Sequence, residues 1–254
     1  MITADLKGRT VLITGGVSGI GFAAAIRFGR AGARVAVNHL PDDGRAPAAL
    51  TELERAGIDA VGAPGDVGKA GEAEGMVADA VRALGGRLDF LINNAGTPGT
   101  TAPIAFENLD AMTEAFWDRL MDVNLKGAFR CTRAAAPHLK AAKGAVVATA
   151  SIAGLGARGS SIAYGAMKAA LINMTVSLAR ALAPDVRVNA VAPGLVDSPW
   201  TSQWPDAVRE EAAQAALLKR ICKPDDIAEA MLFLCAGGAM ITGRTIVVDG
   251  GRHL

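Results

Sequence analysis

The chain predicts a single doubly wound α/β domain spanning residues 1–254, a seven-stranded parallel sheet with helices on both faces. Three observations carry that expectation. Short apolar, β-branched runs alternate with longer helix-like runs from end to end, the pattern of parallel strands joined by helical crossovers. The first such run leads straight into a glycine turn and an alanine-rich helix. No repeat, low-complexity tract or linker breaks the series, and 254 residues suit one large sheet.

Taken in order, strands are expected near 9–14, 33–38, 58–63, 88–92, 145–150, 186–192 and 245–248, with helices between them. The two longest helical patterns run over roughly 111–141 and 161–183, the second stopping at Pro184, where proline cannot continue a helix. The least regular stretch, 193–205, holds three prolines and two tryptophans and is a candidate lid.

The turn after the first strand reads Gly15-Gly16-Val17-Ser18-Gly19-Ile20-Gly21. Glycines at 15, 19 and 21 let backbone amides approach a pyrophosphate at the positive end of the following helix, and the last lets that helix pack closely. A purely structural turn is the alternative, since thirty glycines produce chance patterns. The placement between strand and helix favours dinucleotide binding.

Composition narrows the function. Hydrophobic residues make up 51% of the chain and charged ones 20%, with a net charge of +1, so no long-range field attracts nucleic acid or an anionic membrane. No run of eighteen residues is free of polar side chains, so no membrane span is expected. The first residues show no basic region leading into an apolar stretch, which predicts no signal peptide and a cytoplasmic protein. Cys131, Cys222 and Cys235 are odd in number and far apart, as reduced thiols are, and no metal-ligand spacing is present. His39, His138 and His253 have no spacing to a serine and an acid that would suggest a triad, so hydrolysis is disfavoured.

The strongest chemical signal is Tyr164-Gly165-Ala166-Met167-Lys168, with Ser151 thirteen residues upstream of the tyrosine. On a helix, a spacing of four stacks the ammonium one turn from the phenol. A free tyrosine titrates near about 10, and a fixed cation is expected to lower that value toward a usable acid and base. Ser151 would hold a carbonyl or alcohol oxygen beside the phenol. The alternative is an ordinary surface pair.

Thr14-Gly15-(x)3-Gly19-Ile20-Gly21, Asn93-Asn94-Ala95-Gly96, Asn124, Ser151, Tyr164-(x)3-Lys168 and Pro193-Gly194 stand in an order and spacing that resembles the short-chain dehydrogenase/reductase family, over about residues 6–251. The resemblance implies a single Rossmann domain that uses NAD or NADP and transfers hydride between the nicotinamide and a carbonyl or secondary alcohol carbon. It implies Tyr164 as general acid and base, Ser151 hydrogen-bonded to the reacting oxygen and Lys168 on the ribose hydroxyls. Asn124 would distort its helix and hold a water beside the lysine. Val17, Ser18 and Ile20 complete the glycine turn around the phosphates. Asp66 and Val67, after the third strand, would meet the adenine, although Asp66 also suits a helix N-cap. Asn93, Ala95 and Gly96 would lie against the ribose, Asn94-Ala95-Gly96 being otherwise a simple turn. Pro193, Gly194, Val196 and Ser198 would meet the carboxamide.

The second strand ends Val37-Asn38-His39-Leu40, with His39 where NAD-preferring relatives often carry an acid. Without that carboxylate a 2′-phosphate meets no fixed repulsion, and Asn38, His39 or Arg45 is available to contact it, so NADP(H) is expected over NAD(H). Against this, Ser18 stands where NADP-preferring relatives often have a base, and Asp42 and Asp43 lie close. The apolar faces of the long helices suggest burial between subunits of a dimer or tetramer. A small carbonyl or alcohol is the expected partner, contacted from 97–102, 153–158 and 195–204, loops with no family-wide code. A non-catalytic dinucleotide sensor on the same fold is the competing reading.

Overall fold

The structure is a computed structural model that describes residues 3–254. Seven strands form one sheet: β1 (Thr10–Ile13), β2 (Arg34–His39), β3 (Ala60–Pro64), β4 (Phe90–Asn93), β5 (Ala145–Thr149), β6 (Arg187–Pro193) and β7 (Thr245–Val248). Their order is β3-β2-β1-β4-β5-β6-β7, and every pairing is parallel. The expected strands are all present, within one to two residues of the expected bounds. All four residues of β1 and β4 and all five of β5 are buried, because helices cover both faces of a parallel sheet.

Side-chain alternation divides the core. Val11 and Ile13 of β1 point to one face with Phe28, Leu53, Ile227 and Met231; Leu12 points to the other with Met76, Val77, Leu139 and Leu182. The first layer is built by α1 (Gly19–Arg30), α2 (Ala46–Arg55) and α8 (Pro224–Ala236); the second by α3 (Glu72–Ala83), α5 (Ala128–Ala142) and α6 (Ile162–Leu182). Cys131 and Cys235 are core residues, as burial implies, and dehydration pushes both thiols up to about 12.

The helix expected over 111–141 is not continuous. A short 3₁₀ turn at Leu109–Ala111 is followed by α4 (Glu114–Leu120), capped by the Thr113 hydroxyl, which accepts from Phe116 N. A π-helical stretch, Met121–Gly127, then precedes α5. Its centre is Asn124, buried and bonded to the backbone of Thr97: the carboxamide nitrogen donates to Thr97 O at 2.9 Å and its oxygen accepts from Thr97 N at 3.0 Å. The wider turn carries this side chain inward, a common use of π-bulges at sites. The expected helix distortion is therefore present.

α6 matches its expected bounds. Ser161 caps it, accepting from Tyr164 N at 3.0 Å. By length and composition α6 would cross a membrane, but Leu171, Thr175, Ala179 and Leu182 pack it on the sheet and Lys168 is buried on it, so it is a Rossmann crossover helix. A last element, α7 (Asp206–Ala215), follows the 193–205 segment.

Candidate active site

The chain winds from β1 outward to β3, returns across β1 to β4 and continues to β7, so adjacent crossovers diverge between β1 and β4. A crevice opens at the carboxyl ends of strands at such a switch point. Here it is a cleft of about 1090 Å³, enough for a dinucleotide and a small substrate together. It collects Gly15, Val17, Ser18, Gly19, Ile20, Asn38, His39, Asp66, Val67, Ala95, Gly96, Ser151, Tyr164, Lys168, Pro193, Gly194, Val196 and Ser198. Of the residues expected at the site, three others are positioned differently: Gly21, Asn93 and Asn124 stand behind the lining.

The glycine turn fits a pyrophosphate. Ser18 occupies the N-cap of α1 without a side-chain cap bond, and no acid lies in the first turn, so the first amides, which a helix cannot satisfy internally, face the cleft with positive potential. Gly15 and Gly19 have φ of +60° and +52°, the left-handed region that glycine enters without strain. A Cβ on Gly21 would stand 2.1 Å from the Gly15 carbonyl oxygen, so glycine here allows helix and turn to touch.

Asn38 lines the cleft, but its side chain is held by the protein itself. It is buried, its oxygen accepts from Gly15 N at 3.2 Å, and its nitrogen donates to Ala63 O and Gly65 O at 3.0 and 2.8 Å. Its donors are committed, and its work is to fix the turn against β3. His39 lies at the rim with Nδ1 2.8 Å from Leu40 O. Arg45 reaches the turn: its guanidinium donates to Ser18 Oγ at 3.2 Å while paired with Asp43 at 2.7 Å. That cation holds the Asp43 carboxyl below the usual range, chiefly through the hydrogen bond.

Asp66 is not a helix cap. α3 starts at Glu72 after Gly71, whose N–H donates to Glu74, and the Asp66 carboxylate instead accepts from Gly68 N at 2.8 Å inside a tight turn that faces the cleft. Asn93 also turns away: its amide nitrogen donates to Thr132 Oγ1 at 2.8 Å beneath β4. Its neighbour Asn94, named in the sequence only as part of a motif and turn and given no site role, is the residue on the cleft. It donates to Thr14 O and Gly15 O, both at 3.1 Å, and accepts from Thr149 Oγ1 at 3.2 Å. Thr14 Oγ1 in turn accepts from Asn94 N and Ala95 N, each at 2.9 Å, so one buried hydroxyl staples β1 to β4 at the switch point.

Lys168 and Tyr164 are not a surface pair. Lys168 is 3% exposed, its Nζ donating to Thr149 O at 2.6 Å and lying 5.5 Å from the Tyr164 ring centre. Burial brings its pKa down to about 8. Tyr164 is half-buried beneath Trp200, whose ring meets it edge-on at 6.0 Å. Burial pushes the phenol up to about 12, with a hydrogen bond from Ser151 acting in the opposite sense. The lowering expected from the lysine is therefore overturned: loss of water around the phenol sets the shift, and only the Ser151 hydrogen bond acts against it. Gly96 is forced by this arrangement, since a Cβ there would meet Asn124 Oδ1 at 2.8 Å and Lys168 Nζ at 3.8 Å.

The 193–205 segment closes the far side. Its Ser198 lies 3.5 Å from where a Gly19 Cβ would stand, Val196 bridges to Cys222, and a Cβ on Gly194 would strike Asp249 at 2.9 Å. Among the described residues no cluster of metal-binding side chains occurs.

Comparison with known proteins agrees with this geometry. Residues 15–253 match the family model described as enoyl-(acyl carrier protein) reductase. The chain is 36% identical over 250 residues to the 3-oxoacyl-[acyl-carrier-protein] reductase FabG of Staphylococcus aureus, covering 97% of this chain and 98% of that one. It is likewise 36% identical to the (2S)-[(R)-hydroxy(phenyl)methyl]succinyl-CoA dehydrogenase subunit BbsD of Thauera aromatica, over 98% of each. Among solved structures, the short-chain dehydrogenase/reductase SDR:glucose/ribitol dehydrogenase of Brucella melitensis superposes with a TM-score of 0.86 at 32% identity over the whole of both chains. The chain belongs to the short-chain dehydrogenase/reductase family of oxidoreductases.

Proposed function

We propose that residues 1–254 form one catalytic domain that interconverts a carbonyl compound and its secondary alcohol, with NADP(H) preferred over NAD(H). The observation that carries the reaction is the convergence of Ser151, Tyr164 and a buried Lys168 at the carboxyl ends of the strands. The nicotinamide cofactor, when bound, supplies or accepts the hydride.

The chain's own residues handle binding and the proton. The α1 amides and the glycine turn would hold the phosphates, Asp66 and Val67 the adenine, and Pro193, Gly194, Val196 and Ser198 the nicotinamide carboxamide, all of these residues lining the cleft. In reduction the phenol, kept protonated by burial, gives its proton to the substrate oxygen, while Ser151 holds that oxygen in line. Lys168 binds ribose hydroxyls with donors left after Thr149 O and stabilises the tyrosinate that forms. Asn124 acts through Thr97 and Gly96, keeping the wall beside the lysine in place. A non-catalytic sensor has no need of this complete set.

The cofactor preference rests on His39 in place of an acid and on Arg45 held over Ser18, where a 2′-phosphate would meet a cation. A cytoplasmic homo-oligomer is proposed from the half-exposed Ile172, Met174, Val176 and Leu178 on α6 and the exposed Phe129 on α5. The deciding experiment follows oxidation of NADPH and NADH across a panel of aldehydes, ketones and 3-oxo esters. Turnover of at least one carbonyl is expected, faster at low cofactor with NADPH; binding of cofactor with no turnover in either direction would refute the enzymatic reading.

A further inference from the structure

The cleft is lined by an arginine that forms no ion pair among the described residues. Arg158 lies in the loop between the 3₁₀ turn Ile152–Leu155 and α6, and it lines the cleft. One face of its guanidinium is stacked on Phe106, Cζ standing 5.1 Å from the ring centre. Its edges, the hydrogen-bonding part, have no ion-pair partner among the described residues. Three acids around the same cleft are engaged elsewhere, Asp43 with Arg45, Asp122 with Lys126 and Arg130, and Asp66 within its own turn, while Glu211 of α7 lines the cleft and has no ion pair with Arg158.

A second feature lies two residues on. Ser160 is 4% exposed, lines the same cleft, and its hydroxyl has no hydrogen-bond partner among the described residues. A buried hydroxyl left unpaired costs on the order of 1–3 kcal/mol. Such groups recur where a ligand supplies the partner. Between the two, Gly159 rests against the catalytic ring, where a Cβ would be 3.2 Å from Tyr164 Cδ1. Ser160 O accepts from Ile104 N at 2.8 Å, tying this loop to the opposite strap. Arginine and serine are thus fixed on either side of a residue in contact with the acid.

Resting on the oxidoreductase reading above, we infer that the substrate carries an anionic oxygen group, a carboxylate or a phosphate, close to its carbonyl, and that Arg158 and Ser160 bind it. Arginine's fork gives paired, charge-assisted bonds to such a group, and the hydroxyl adds a third. The anchored end would set which carbonyl carbon faces the nicotinamide.

Matched ketones test this with the holoenzyme: acetoacetate against methyl acetoacetate, and dihydroxyacetone phosphate against dihydroxyacetone. In at least one pair the wild type should prefer the anion, mainly through KM. Arg158→Gln should lower the anion-to-neutral ratio of kcat/KM by about tenfold to a hundredfold, Arg158→Lys should restore part of it, and the responding pair tells carboxylate from phosphate. No wild-type preference in either pair, or a ratio unchanged in Arg158→Gln, would overturn the inference. Calorimetric titration of both anions into NADP-loaded protein separates the two readings. Binding that depends on Arg158 without reduction of any ketone would leave the anion site standing and sink the reductase assignment. Reduction of neutral ketones with no anion binding would do the reverse, and neither binding nor reduction would sink both.

Discussion

Replacing Tyr164 by phenylalanine removes one oxygen from the centre of the proposed chemistry and almost nothing from the fold. The ring keeps its edge-on contact with Trp200 at 6.0 Å and its place beside Lys168 Nζ at 5.5 Å, and the one hydrogen bond lost among the described residues is that with Ser151, which faces the cleft. The melting temperature should therefore move little, and cofactor affinity should hold, since the phosphate turn and Lys168 are untouched. The reaction loses its proton donor. A positioned acid contributes about 10² to 10⁴ in rate, which at about 1.36 kcal/mol per decade is roughly 2.7–5.4 kcal/mol of barrier. Steady-state kcat with a ketone from the panel, alongside a cofactor titration and a thermal melt, reads all three quantities. Retention of more than about a tenth of wild-type kcat would refute the assignment, because that loss lies below the range for a positioned acid. A collapse of melting temperature would show instead that the hydroxyl is structural.

Other consequences follow from the same geometry. Gly21→Ala places a methyl 2.1 Å from the Gly15 carbonyl oxygen, so α1 must back away from the turn; a loss of about 1–3 kcal/mol in stability and weaker cofactor binding are expected, and an unchanged melt and dissociation constant would contradict the close-packing argument. His39→Asp should shift the kcat/KM ratio toward NAD by about tenfold, about 1.4 kcal/mol, whereas an unchanged ratio would place selectivity elsewhere, with Arg45 the next residue to vary. Lys168 carries its proton below about pH 8 and loses it above, so kcat/KM for reduction should be level on the acid side of that value and fall on the alkaline side; a profile flat well past it would contradict the role of the cation. Sedimentation at micromolar concentration should give a dimer or tetramer, and a monomeric mass would remove the interface assigned to α5 and α6.

The parts of the fold that a local pattern encodes were legible. Seven apolar runs became seven strands, the Pro184 stop ended α6, and Tyr164 and Lys168 landed on one helical face because their spacing of four permits nothing else. What stayed hidden depends on partners distant in sequence. The break at Met121–Gly127 answers to the backbone of Thr97, twenty-seven residues from Asn124, and no periodicity within 111–141 carries that information. Asn38 looked available to a ligand until β3 presented the carbonyls of Ala63 and Gly65 to it. Asn93 and Asn94 are adjacent and chemically identical; only strand alternation, fixed by the pairing of β4 with β5, sends one beneath the sheet and the other to the cleft.

The protonation of the proposed catalytic pair shows the same division most sharply. Spacing alone places a cation beside a phenol and argues for an easily formed tyrosinate. Burial moves both groups toward their neutral forms, the lysine down to about 8 and the tyrosine up to about 12, since losing water penalises whichever form is charged. The sequence names the two groups, and the depth of the cleft sets their charge. With a protonated phenol and a largely protonated lysine at neutral pH, the site is prepared to give a proton rather than to take one, which is the state reduction requires. Oxidation must first form the tyrosinate against that dehydration, so its rate should climb as the solution becomes alkaline and more of the phenol is ionised, whereas reduction begins from the protonated phenol already present at neutral pH.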